Sequence, residues 1–91
     1  MTRIAIAGTG RMGTAYARRL IETGHAVTVW NRSVDKTAGA AEAGATVVAA
    51  VAGLAEADVL LLALTDAAAV GAVVDDLARA GLDGKLVIDL S

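Results

Sequence analysis

Three glycines, Gly8, Gly10 and Gly13, stand at G-x-G-x-x-G spacing directly behind the apolar run Ile4-Ala5-Ile6-Ala7. That arrangement suits an anion. A strand that ends in such a loop and turns straight into a helix presents backbone N–H groups and a helix N-terminus to a phosphate. Gly8 permits the tight turn, and Gly10 lets the backbone approach a pyrophosphate with no Cβ in the way. Gly13 lets the helix pack closely on the strand. The spacing alone is a weak signal, because a glycine-rich turn can be purely structural. Its surroundings supply what the motif requires: helical character from Arg11 to Thr23, Gly24 at its end, and a second strand-like run from His25 to Trp30. Inside the loop, Arg11 has two readings, a phosphate contact or a solvated side chain.

The residues after the second strand say which dinucleotide the loop suits. An NAD site carries Asp or Glu there, about 20 residues past the glycines, to accept from the ribose 2′-OH. Position 31 holds Asn, followed by Arg32 and Ser33, with Lys36 one turn further on. A carboxylate would repel a 2′-phosphate, whereas Asn31, Arg32 and the Ser33 hydroxyl can donate to one and Lys36 adds a second positive charge. A charged hydrogen bond is worth about 1.5–3 kcal/mol, so Arg32 alone can favour NADP over NAD by roughly 10–150-fold. The bland alternative makes Arg32 a solvated surface residue and Ser33 an N-cap. Ser33 can do both.

These loops need a scaffold, and the pattern supplies one by alternating short β-type runs with helical stretches, the mark of a parallel sheet covered on both faces. Strands are expected at Arg3–Ala7, Ala26–Trp30, Ala45–Val48, Asp58–Ala63 and Leu86–Asp89. Helices are expected at Arg11–Thr23, at Ser33–Ala43 with Gly44 behind it, at Ala50–Ala57, and from Thr65 or Asp66 to about Ala80. In the last of these Val70, Val73, Val74 and Leu77 form one apolar stripe. Gly81 stops that helix and Asp83-Gly84 turns. The fold class is therefore α/β, a Rossmann-type doubly wound sheet of order 3-2-1-4-5, cut after strand five. In such sheets ligands lie outside the carboxyl ends of the strands where the order reverses. The loops Gly8–Met12 and Leu64-Thr65-Asp66 would line that crevice. Thr65 is equally well a cofactor contact or a helix cap.

Other residues invite chemistry and decline it. His25 follows the first helix, about 20 Å from the glycine loop at 1.5 Å per residue, and reads as a turn residue. Tyr16 reads as half-buried packing on the first helix, and Asp75 and Asp76, adjacent on a helix, point apart and read as solvated. No proton donor suited to a nicotinamide remains, so no catalytic residue is assigned. Ninety-one residues with 56% apolar content and net charge −2 make one globular domain without the basic excess of a nucleic-acid binder. No apolar run is long enough to span a bilayer, and without cysteine there is no disulfide framework or thiolate metal site. The expectation is a soluble cytoplasmic protein with a small-molecule partner, no nucleic acid, no membrane and no metal.

From Ile4 to Lys36 the chain resembles the N-terminal domain of the β-hydroxyacid dehydrogenases, the group that includes 6-phosphogluconate dehydrogenase and the imine reductases. The carrying residues are the glycine loop, Gly24-His25, Val27-Thr28-Val29-Trp30, Asn31-Arg32-Ser33 and Lys36, with Val87-Ile88-Asp89-Leu90-Ser91 resembling the start of that family's D-x-S-T segment. The resemblance implies that Gly8, Gly10, Met12 and Gly13 serve the pyrophosphate and that Asn31, Arg32 and Ser33 serve the 2′-phosphate. It further implies that Leu64, Thr65 and Asp66 lie near the adenosine and that Ser91 helps position nicotinamide or substrate. Thr9 departs from the family pattern, standing where a hydrophobic residue is common. The family's catalytic residue lies on a helical C-terminal domain beyond Ser91.

The resulting expectation is the NADP(H)-binding domain of an oxidoreductase acting on a small hydroxy acid, aldehyde or imine, with these 91 residues inactive by themselves. The alternative from another class is a noncatalytic nucleotide-sensing module. Strand five, left as an apolar edge, leads us to expect self-association into a homo-oligomer.

Overall fold

The structure, a computed structural model, describes residues 2–64, 67–80 and 86–89. Five parallel strands, β1 (Arg3–Ala7), β2 (Ala26–Trp30), β3 (Thr46–Val47), β4 (Val59–Leu62) and β5 (Leu86–Asp89), form one sheet of order β3-β2-β1-β4-β5. The expected architecture and strand order are both present. β1 is central, with Ile6 in register with Val29 of β2 on one side and Leu61 of β4 on the other. The chain leaves β1 toward β2 and β3, then returns across it to β4. Strand order reverses there, and the loops after β1 and β4 part to leave a crevice.

The period-2 alternation of the strands divides the core in two. Ala5, Ala7, Leu60 and Leu62 face a cluster completed by Val51, Leu54, Val73 and Leu77. Ile4, Ile6, Val27, Val29 and Leu61 face the other side, against Ala17 and Ala40. The first layer includes α3 (Ala67–Ala80), whose Val73 and Leu77 are buried while Val70 and Val74 pack beside them, as the apolar stripe requires. The second layer is α1 (Arg11–Glu22) with α2 (Ala38–Ala43). On α1, Gly13, Ala17, Leu20 and Ile21 recur at helical spacing, the first two buried and the others packed on the core. No helix among the described residues is long and apolar enough to cross a membrane.

Several boundaries differ from the sequence expectation, each for a local reason. The helix expected from Ser33 begins as a 3₁₀ turn, Val34–Thr37, and becomes α-helical only at Ala38. Lys36 N–H donates to the Ser33 carbonyl at 3.1 Å, closing the tighter three-residue ring, and Thr37 Oγ1 donates to the Val34 carbonyl. Ser33 makes no side-chain cap. The connecting helix expected over Ala50–Ala57 is one 3₁₀ turn, Val51–Leu54, because side chains three apart align in that geometry and both Val51 and Leu54 reach the core. β3 is shorter than expected, although Val48 N–H still bonds the Val29 carbonyl. The capping assignments at Thr65 and Asp66, and the stop and turn at Gly81 and Asp83-Gly84, lie outside the described residues. Tyr16 lies on α1 at 41% exposure. His25 sits in the turn before β2, its Nδ1 2.9 Å from Thr23 Oγ1 and 3.2 Å from the Leu20 carbonyl oxygen.

One close approach holds helix to sheet: a Cβ at Gly13 would overlap the Gly8 carbonyl oxygen, a backbone atom that cannot swing away. Gly13→Ala should therefore destabilise the fold by about 1–3 kcal/mol, the usual toll of overpacking, read as a lower urea midpoint at unchanged slope.

Candidate functional site

The glycine loop begins where β1 ends. Gly8 takes φ of +104°, a left-handed backbone that disfavours any residue with a Cβ, and a Cβ there would also overlap the Ala63 carbonyl behind β4. Its N–H donates to the Trp30 carbonyl at 2.7 Å, joining the ends of β1 and β2. Gly10 is the residue before α1, with ordinary extended backbone, and a Cβ built on it meets no atom within 4 Å. The space that Gly10 leaves open is therefore on the ligand side and not inside the protein. No side chain caps α1, no acid stands in its first turn, and the first-turn N–H groups have no intrahelical acceptor.

Gly8 and Gly10 open onto a crevice of about 270 Å³ at the carboxyl ends of the strands. Trp30, Asn31, Arg32, Ser33 and Lys36 line the side toward β2. The facing wall is Ala63 and Leu64 after β4, Val51 from the 3₁₀ turn, and Ala72, Val73 and Asp76 on α3. Arg32 and Lys36 are exposed, and neither is in an ion pair among the described residues. Asp76 instead lies 3.7 Å from Arg79 on its own helix, and so does have a cationic neighbour.

Asn31 is held on both sides. Its Oδ1 accepts from Thr9 N–H at 2.9 Å and its Nδ2 donates to the Ser33 carbonyl at 3.0 Å. Those opposite partners fix the amide orientation, and one Nδ2 hydrogen remains for another acceptor. Thr9 is the residue that sequence reasoning undervalued. It is 4% exposed, its hydroxyl donates to the Lys36 carbonyl at 2.9 Å, and its own carbonyl accepts from Thr14 Oγ1 at 2.9 Å.

Of the residues singled out from sequence, Gly8, Gly10, Asn31, Arg32, Ser33, Lys36 and Leu64 line the crevice. Thr9, Arg11, Met12 and Gly13 stand behind or beside it: Thr9 and Gly13 are buried, Arg11 and Met12 exposed. Thr65, Asp66 and Ser91 lie outside the described residues. The wall from Ala72 to Asp76 was missed as a ligand surface. Its signal was present, since Asp76 lies four positions after Ala72 and three after Val73, and hence on one helical face.

Comparison with known proteins agrees with this geometry. Residues 3–91 match the family described as the NAD binding domain of 6-phosphogluconate dehydrogenase. The chain is 30% identical over 89 residues to an NADPH-dependent reductive aminase of Aspergillus oryzae, covering 97% of this chain and 30% of that protein. It is 55% identical over 40 residues to the cytokine-like nuclear factor N-PAC of Drosophila melanogaster, covering 44% of this chain and 7% of that protein. Among solved structures, 3-hydroxyisobutyrate dehydrogenase of Mycobacterium tuberculosis superposes with a TM-score of 0.92 at 32% identity, over 98% of this chain and 31% of that one. The chain thus spans a third or less of the length of these relatives. With its five-stranded parallel sheet, glycine loop and crevice, it belongs to the family of NAD-binding domains of 6-phosphogluconate dehydrogenase.

Proposed function

We propose that this chain is the NADP(H)-binding domain of an oxidoreductase that moves a hydride to or from a small hydroxy acid, aldehyde or imine. One observation carries the reading: the glycine loop and the Asn31-Arg32-Ser33 loop, with Lys36, line a single crevice at the carboxyl end of the sheet. The spacing suits one dinucleotide, its pyrophosphate over Gly8 and Gly10 and its adenosine 2′-phosphate at Arg32, Ser33 and Lys36. Position 31 carries no acid to repel that phosphate, and neither of the two nearby cations is in an ion pair among the described residues. The nicotinamide, when bound, supplies the hydride chemistry. The chain's own residues bind and orient. The backbone N–H groups of the glycine loop and of the α1 N-terminus hold the anion, and Arg11 has room to approach it from the first turn. Met12 and Gly13 shape that turn, while Leu64, and in this reading Thr65 and Asp66, close the adenosine side. Ser91 would orient the nicotinamide or the substrate.

NADP preference draws further support from the NADPH dependence in the name of the Aspergillus oryzae relative, and hydroxy-acid or imine chemistry from that aminase and the dehydrogenase above. His25 stands before β2, at the amino end of the strands and so at the opposite end of the sheet from the crevice, and cannot reach it. We therefore read the 91 residues as coenzyme-binding but inactive without further protein. A second reading, a noncatalytic nucleotide-sensing module, draws on the similarity to a nuclear factor. The reading also includes a cytoplasmic location and a homo-oligomer, the second because Leu86, Val87 and Ile88 of β5 are 58%, 40% and 38% exposed and make an apolar edge.

Titration with NADPH and NADH, following emission of Trp30 in the crevice wall, tests the coenzyme assignment. NADPH should bind more tightly, and Arg32→Ala should bring it toward the NADH value, a loss of roughly 10–150-fold. Equal binding of both coenzymes by the unaltered protein would overturn the 2′-phosphate assignment. Gly10→Ala should weaken both coenzymes while changing unfolding free energy by less than about 1 kcal/mol, in contrast to Gly13→Ala. Saturable reduction of a small carbonyl by the 91 residues alone would refute the inactivity. Sedimentation should show association growing with concentration, and a strictly monomeric profile would count against the oligomer.

A further inference from the structure

Buried polar side chains are rare here: among the described residues only Thr9 and Thr37 are both polar and buried, at 4% and 5% exposure. Both hydroxyls donate to carbonyls of the same 3₁₀ turn, Thr37 to Val34 and Thr9 to Lys36. Thr9 adds a second connection, because its N–H donates to Asn31 Oδ1 while Asn31 Nδ2 donates to the Ser33 carbonyl. That carbonyl also accepts from Lys36 N–H at 3.1 Å. The bonds close a ring, from Thr9 to Asn31, Ser33, Lys36 and back to Thr9. Arg32 lies inside it, its chain neighbours Asn31 and Ser33 both tied down.

From this ring we propose that Thr9 is a specificity-determining positioning residue, which sets NADPH over NADH by holding Ser33 and Lys36 at the 2′-phosphate while touching neither coenzyme. The proposal rests on the 2′-phosphate reading above. Thr9 is absent from the crevice lining, so it acts only through the loop it fastens. Its N–H bond to Asn31 survives any non-proline side chain, whereas the bond to the Lys36 carbonyl needs a hydroxyl. Loss of that hydroxyl leaves a partly buried carbonyl without its donor and frees the turn that carries Lys36. NADH, which has no 2′-phosphate, does not use that turn. A residue that served the fold alone would weaken both coenzymes together.

The experiment is a coenzyme titration on the unaltered protein, Thr9→Val, Thr9→Ser and Arg32→Ala, with urea unfolding of each without ligand. Thr9→Val keeps the shape and loses the hydroxyl, and Thr9→Ser keeps the hydroxyl. Thr9→Val should raise the Kd for NADPH about five- to tenfold and that for NADH less than twofold, with Thr9→Ser within twofold of the unaltered protein for both. Equal weakening of both coenzymes, or no change in either, overturns the proposal. So does a Thr9→Ser protein that loses NADPH as Thr9→Val does. If Thr9→Val proves unfolded, Thr9→Ala, which also lacks the hydroxyl, takes its place: NADPH binding weakened with NADH binding kept supports the ring, and equal weakening of both or no change in either overturns it. If Arg32→Ala alone loses the preference, Thr9 is only structural and the 2′-phosphate reading stands. If the unaltered protein shows no preference, that reading falls and the proposal with it.

Discussion

Gly8 is the point on which the arrangement depends, because three elements meet its backbone and one of them, the residue behind β4, leaves no room for a side chain. Its N–H is bonded to the end of β2, its Cα lies against the Ala63 carbonyl beyond β4, and its own carbonyl lies against Gly13 of α1. The left-handed φ at this residue turns the chain out of β1 at the one place where sheet and helix can both be close. Both conditions exclude a Cβ, the first by conformation and the second by volume. The crevice follows from that turn. It opens where the chain has been steered away from β1 and where strand order reverses between β1 and β4.

The two hydrophobic layers keep that point in place. β1 contributes small Ala5 and Ala7 to the face with α3 and the 3₁₀ turn, and larger Ile4 and Ile6 to the face with α1 and α2. On the α3 face, Leu60 and Leu62 of the neighbouring strand and Leu54 provide the volume that the alanines lack. Packing thus decides the depth at which each helix rides and hence how far the glycine loop stands from Val73 and Asp76 across the crevice. Fold and binding surface are set by the same side chains.

What the sequence revealed and what it hid divide along physical lines. Strand positions, strand order and the three glycines were legible because period-2 patterning and tight turns are local properties. The loops after β2 and β3 were not, since a 3₁₀ turn and an α-helix begin with the same residue types and differ only in which carbonyl the N–H finds. Ser33 looked like a cap and is not one, because its carbonyl, and not its hydroxyl, takes the bonds. Asn31 read only as a phosphate donor, and its side chain also fastens two loops, a task that its type alone does not reveal. Thr9 looked incidental for the same reason: its partner, the Lys36 carbonyl, is 27 positions away and no local rule points to it.

The double duty of Asn31 bears on how a protein of this kind could change coenzyme. An aspartate at position 31 would supply the acid that a ribose 2′-hydroxyl favours, and its oxygen could still accept from Thr9 N–H. It could not donate to the Ser33 carbonyl, so the exchange that rewrites the charge also unties the loop that carries it. A lineage moving from one coenzyme to the other would therefore have to rebuild the support after β2 alongside the single acidic substitution. Changes of preference here should come as correlated sets of residues spread over positions 9 to 37, and a designer swapping one residue should expect a loosened site before a converted one.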